Sequence, residues 1–142
     1  MYVDVHDLPI LVFSMSAKGK PQWRLNELVF LDHLQTAQLG GQSLTIAIEY
    51  GWARPGEGVS SAFHAGRMLG AIGAIAALMT DTTIIRVFPQ AWKKHMGLIG
   101  KDKDASRLLA QQWFPDAPLK RKKDHGRSEA LLIAKYALET GG

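Results

Sequence analysis

Three carboxylates and one histidine stand at positions where the surrounding pattern makes chemistry possible. Glu49 closes a short apolar run, Leu44 to Ile48, rich in β-branched residues. Such a run reads as a buried strand that delivers a carboxylate at its C-terminal end. Asp124, His125 and Glu129 cluster where the last amphipathic segment begins. In an α/β sheet, functional groups gather beyond the C-terminal strand ends, so the two regions are able to meet. Convergent carboxylates repel one another unless a cation relieves the cost, and hard divalent ions such as Mg²⁺ prefer oxygen ligands. In phosphodiester cleavage, paired metals about 3.5–4 Å apart activate water and stabilise the leaving oxygen. That chemistry needs no thiol. The sequence contains no cysteine, so any metal must be held by carboxylate, imidazole or carbonyl groups.

Helical geometry sorts the last cluster only in part. His125 and Glu129 are four residues apart and share a face if the helix already includes His125. Asp124, five before Glu129, projects roughly 140° away on a regular helix; its plainer role is an N-cap. Glu129 also reads as a boundary residue, and Glu49 as a solvated strand end. Basic residues surround these groups in sequence. The net charge is +4 and the pI about 9.5. Lys93, Lys94, Lys101, Lys103 and Arg107 fall in one short region, while Lys120, Arg121, Lys122 and Lys123 run unbroken. The pattern suits a polyanionic partner or a solvated face. Arg54, in the loop after Glu49 with Gly56 and Gly58, either touches a phosphate backbone or is solvated. Trp92, beside Lys93 and Lys94, either stacks on a base or packs beneath a short helix.

The elements that must position these groups follow from periodicity. Tyr2 to Val5 and Leu8 to Phe13 read as strands, the second an edge strand because of Pro9. Ser16 to Pro21 is turn-like. Apolar residues at Leu25, Leu28, Val29, Leu31 and Leu34 predict a helix from Trp23 to Leu39, ended by Gly40 and Gly41. After the Leu44 strand and a Gly/Pro loop, Ser60 or Ser61 caps a helix running to about Met79. Gly66, Gly70 and Gly73 weaken that helix by roughly 1 kcal/mol each, which predicts a compensating close approach to a sheet or helix. Thr82 to Phe88 reads as a strand, Gln90 to His95 and Lys103 to Trp113 as helices. A final helix from Asp124 or His125 to about Leu138 shows an apolar stripe at Ala130, Leu131, Ile133, Ala134 and Ala137. Strand–helix–strand–helix order implies a parallel α/β core covered on both faces.

A chain of 142 residues, 46% of them hydrophobic, is long enough for one domain with a core and too short for two. The expectation is a single domain over 1–142. The longest apolar stretch, Met68 to Met79, is shorter than the roughly 20 residues of a membrane span. Asp4 and Asp7 stand where a signal peptide would be basic. A soluble, cytoplasmic protein without a membrane partner is expected.

Several stretches together resemble the RuvC-like Holliday-junction resolvases of phages and prophages, within the RNase H-like nuclease superfamily. They are Ile48-Glu49 with Arg54-Pro55-Gly56-Glu57-Gly58-Val59-Ser60-Ser61-Ala62-Phe63, then Gly66-Arg67 and Gly70. Phe88-Pro89-Gln90-Ala91-Trp92-Lys93-Lys94, Gly100-Lys101-Asp102-Lys103, Ser106-Arg107 and Phe114-Pro115 follow. Lys122-Lys123-Asp124-His125-Gly126-Arg127-Ser128-Glu129-Ala130-Leu131-Leu132-Ile133-Ala134 completes the set. The resemblance spans roughly residues 44 to 138 with order and spacing kept.

It implies an RNase H-like α/β fold, a five-stranded mixed sheet flanked by helices. The implied protein is a homodimer that binds branched DNA in a bacterial or phage-infected cell. It hydrolyses four-way junctions with Mg²⁺ or Mn²⁺. Glu49 and Glu129 match family acids. Where many relatives carry another acid or a histidine, this chain has Gly126, so Asp124 or His125 takes that place as catalytic or metal-binding residue. Arg54, Lys93, Lys94, Lys101, Lys103, Arg107, Lys122 and Lys123 become DNA contacts. Family members open with an Asp-bearing strand and a Gly-rich hairpin, whereas Val5-His6-Asp7-Leu8-Pro9 resembles the segment after that hairpin. The resemblance therefore implies an N-terminally incomplete fold. A catalytically impaired junction-binding protein is the alternative.

Overall fold

A computed structural model describes residues 10–15, 19 and 21–141. The strand expected over Tyr2 to Val5, residues 8–9 of the next one, and the expectation of an incomplete N-terminus lie outside the described residues. Two strands open the described chain, β1 (Ile10–Met15) and β2 (Pro21–Leu25), followed by α1 (Glu27–Ala37) and β3 (Leu44–Glu49). Then come α2 (Val59–Leu78), β4 (Thr82–Val87), α3 (Pro89–His95), α4 (Lys103–Trp113) and α5 (His125–Thr140). The protein is α/β. The described strands form two pairs, β1 with β2 and β3 with β4.

The chain divides into two compact units interleaved along the sequence. Among the described residues, one takes in Ala47–Gly51 and 85–141; the other takes in the residues up to Ile46 and Trp52–Ile84.

In the second unit β1 and β2 pair antiparallel, Ile10 opposite Leu25 and Met15 opposite Pro21, with an irregularity between Val12 and Ser14. The helix expected from Trp23 begins at Glu27 instead, because Trp23 to Leu25 extend as β2. Asn26 then caps α1, its side chain accepting from the Val29 N–H at 3.4 Å. Propensity does not separate these outcomes, since Trp, Arg and Leu suit either state and pairing with β1 decides. α2 starts one residue before the expected serines, at a Gly58 cap without a side-chain bond. It is a longer apolar element than Met68 to Met79 suggested. By length and composition it is able to cross a membrane, and little of it is buried among the described residues. A Cβ at Gly66, Gly70 or Gly73 would meet nothing within 4 Å. The close approach expected at these glycines is therefore not made within the described residues.

β3 and β4 run parallel. The Leu44 N–H donates to Asp81 O at 3.1 Å at one end, and the Tyr50 N–H to Val87 O at 2.8 Å at the other. A parallel pair needs a long crossover, and α2 supplies it.

The core of the first unit is built on Val87, Trp92, Leu98, Ala110, Leu119, Leu131, Leu132 and Ile133. Each large side chain buried there contributes about 1.5–3 kcal/mol. Pro89 opens α3 at a position where its missing N–H costs nothing, and the Ala91 and Trp92 N–H groups return to Phe88 O. On α5 the buried side is Ser128, Leu131, Leu132, Ile133 and Ala137, while Ala130 and Ala134 of the expected stripe face outward. Alanine fits either side of a helix, so the larger Leu132 decides the buried arc.

Candidate functional site

β3 ends on Glu49, where the sequence placed it. Its backbone neighbour Tyr50 is fixed by the bond to Val87 O. The Trp92 indole Nε1–H donates to Glu49 Oε2 at 2.9 Å. Trp92 has 0% of its surface exposed, and a buried indole N–H requires an acceptor. Of the two sequence readings of Trp92, packing is the one realised. The hydrogen bond to Glu49 was not legible, because nothing in a Trp–Lys–Lys run states which strand end lies within reach. Lys93 Nζ sits 5.3 Å from the Trp92 ring centroid, a cation–π distance. Around the strand ends, Phe88 meets Tyr50 edge-on at 6.2 Å, and the Arg86 guanidinium lies 5.5 Å from the Tyr50 ring.

Asp124 occupies the N-cap position of α5, yet its side chain accepts nothing from that helix. It is 3% exposed, and its carboxylate faces Arg121 instead. The Arg121 backbone N–H reaches Oδ2 at 2.8 Å, Nε reaches Oδ1 at 3.0 Å and Nη2 reaches Oδ1 at 2.6 Å. Hydrogen bonds from the Arg121 side chain hold the Asp124 carboxyl below the ordinary aspartate range, against the opposing effect of desolvation. The Asp124 carbonyl accepts from both the N–H and the hydroxyl of the buried Ser128. An ion pair three residues apart inside a basic run carries no sequence mark that separates it from solvated lysines.

His125 begins α5 half-buried, and its Nδ1 is buried without a hydrogen-bond partner among the described residues. Glu129 lies one turn on, also half-buried. Among the described residues, no three acidic or histidine side chains are grouped so as to hold a metal ion. Glu49, Asp124, His125 and Glu129 have the donor chemistry for Mg²⁺ or Mn²⁺, but they do not form a complete ligand set here.

The basic residues divide by environment. Lys94, Lys101, Lys103, Lys122 and Lys123 are exposed, as is Arg54 in the other unit. Arg54 closes a turn, its N–H donating to Glu57 Oε2 at 3.1 Å. Arg107 is drawn into the fold. Nε and Nη2 donate to Asp104 at 2.8 and 3.0 Å, and Nη1 to Leu119 O at 3.2 Å. Gln111 Nε2 donates to the same carbonyl at 3.0 Å. The buried Leu119 is thereby anchored immediately before the basic run, which fixes where Lys120 to Lys123 begin.

No protein-family model matches the chain. Over 110 residues, covering 69% of the chain, it is 36% identical to "Holliday junction resolvase MOC1, chloroplastic" of Chlamydomonas reinhardtii. The chain spans 12% of that relative's length.

Proposed function

We propose that this chain is a structure-selective DNA endonuclease that cuts four-way junctions. The observation that carries the reading is the 36% identity to a protein named as a Holliday junction resolvase, in agreement with the motif blocks around Glu49 and Glu129. These two carboxylates are the proposed catalytic acids. His125 is the better third member, since its Nδ1 is buried without a partner among the described residues, whereas the Asp124 carboxylate is engaged by Arg121. The proposed cofactor is Mg²⁺ or Mn²⁺, on the oxygen-donor chemistry of the acids. The described residues do not by themselves close a ligand set for the ion.

The exposed lysines Lys94, Lys101, Lys103, Lys122 and Lys123 are the proposed phosphate contacts, joined by Lys93 and by Arg54. Phosphate neutralisation releases counterions and makes affinity fall steeply with salt. The proposed assembly is a homodimer, matching the two-fold character of a four-way junction.

The test is a nicking assay with Mg²⁺ or Mn²⁺ on a four-way junction, a linear duplex, a flap and an RNA–DNA hybrid. Junction-selective cleavage abolished by Glu49→Gln is expected. Cleavage unchanged by that substitution would sink the assignment, and junction binding without cleavage in either metal would reduce the protein to a binding module.

A further inference from the structure

We propose that Trp92 is a positioning residue for the Glu49 carboxylate, acting through its indole N–H rather than only through its bulk. The inference rests on the reading of Glu49 as a functional acid. An indole offers one donor and no acceptor. In Trp92 that donor is spent on Glu49 Oε2 at 2.9 Å, from a ring with no exposed surface. Glu49 is a flexible side chain at the end of a strand, and an unrestrained carboxylate there would sample several rotamers. One fixed donor on one oxygen selects the orientation and leaves Oε1 directed elsewhere.

Both partners are held from behind. Glu49 is followed by the Tyr50 N–H bond to Val87 O, and Trp92 by the Pro89 start and the Phe88 O bonds of α3. Val87 also belongs to the cluster that packs around Trp92. The strand end and the helix therefore share one support, so the indole and the carboxylate are registered through the core. Lys93, next in sequence, places its ammonium 5.3 Å from the same ring. A phosphate that draws Lys93 away changes the charge over the indole whose N–H holds the acid. Trp92 thus stands between a basic side chain and the carboxylate.

Phenylalanine keeps an aromatic ring in the core and removes the N–H donor, which gives the test. Nicking is measured for wild type and Trp92→Phe, with junction affinity followed by gel shift. The expected result is a kcat lower by roughly 10–100-fold, the scale of a misoriented catalytic group, with affinity within about twofold. Equal kcat overturns the proposal. A second measurement does not depend on activity or on the folding of that variant. In ¹H–¹⁵N spectra the Trp92 indole N–H is expected to exchange with solvent far more slowly than that of the exposed Trp52. Glu49→Ala should shift its resonance and accelerate its exchange. An indole signal that Glu49→Ala leaves in place overturns the positioning role, even if junction cleavage is confirmed. A wild type that does not nick overturns the endonuclease reading alone, and the indole signal then decides the geometry.

Discussion

Arg121 clasps Asp124 by both backbone and side chain, with Nη2 2.6 Å from Oδ1 and the main-chain N–H 2.8 Å from Oδ2. The acid is buried and the arginine half-exposed, at 51% of its side chain. A carboxylate bonded in this way closes the turn that follows Leu119 and sets the start of α5.

The clasp predicts acid sensitivity. Asp124 is held below the ordinary aspartate range by Arg121, and Glu139 is held low by hydrogen bonds from Lys135 and His95. The unfolded chain takes up these protons first, near the unperturbed values of about 3.9 and 4.3. Stability is therefore complete above that range and is lost as pH falls through the depressed folded values. Urea unfolding of wild type should weaken steeply below about pH 4. Asp124→Asn should start lower at pH 7 and show a flatter acid limb. Parallel limbs would show that the pair adds nothing.

Arg107 and Lys123 separate structural charge from the charge proposed to contact phosphate. Arg107 donates to Asp104 and to the Leu119 carbonyl, so Arg107→Ala should lower the unfolding midpoint. Lys123 is exposed. Lys123→Ala should leave thermal unfolding unchanged and reduce the slope of log affinity against log salt by about 0.9, the loss of one phosphate contact. Salt titrations of junction binding together with melting curves decide it. A reversed pattern would move Arg107 into the DNA-binding set.

How far the sequence reached depends on what each element needed. β3, β4, α3 and α4 were legible because β-branched runs, Pro89 and the Lys103–Trp113 pattern state them locally. β2 was not, since Trp23 to Leu25 extend only through pairing with β1. Glu49 was placed at its strand end, but its indole donor lies 43 residues away, and only tertiary packing brings the two together. For Asp124 the cap position was legible and the Arg121 partner was not. The expected tight contacts at the α2 glycines fail for a related reason: composition shows that the residues are small, not what lies opposite them.

That bare face leads to a stability prediction. Gly66 and Gly70 are exposed within α2, and a Cβ at either meets no atom of another described residue within 4 Å. Alanine loses less backbone entropy than glycine in a helix interior, so each Gly→Ala change should stabilise by about 0.5–1 kcal/mol. Denaturant unfolding of the two single variants and the pair, with size-exclusion chromatography alongside, is the measurement. Additive stabilisation at unchanged molecular mass places these positions outside any subunit contact. Destabilisation with a shift to smaller mass would place them inside the interface of the proposed homodimer.

Asp124 and His125 can be told apart as third members of the proposed site by separating stability from activity. The Asp124 carboxylate works inside the fold, bonded to Arg121, so its loss should appear first in unfolding. His125 carries a buried Nδ1 with no partner among the described residues, so removing it breaks no described bond there. His125→Ala should therefore keep the wild-type unfolding midpoint while junction nicking falls by at least about tenfold, equivalent to roughly 1.4 kcal/mol in the barrier. Asp124→Asn should lower the midpoint. At a temperature where the variant stays folded, it should retain more nicking activity than His125→Ala. If the order is reversed, with Asp124→Asn folded and inactive and His125→Ala fully active, the acid itself is the third member. The Arg121 clasp then holds a catalytic group in place, and Arg121→Ala should lower nicking as far as Asp124→Asn does.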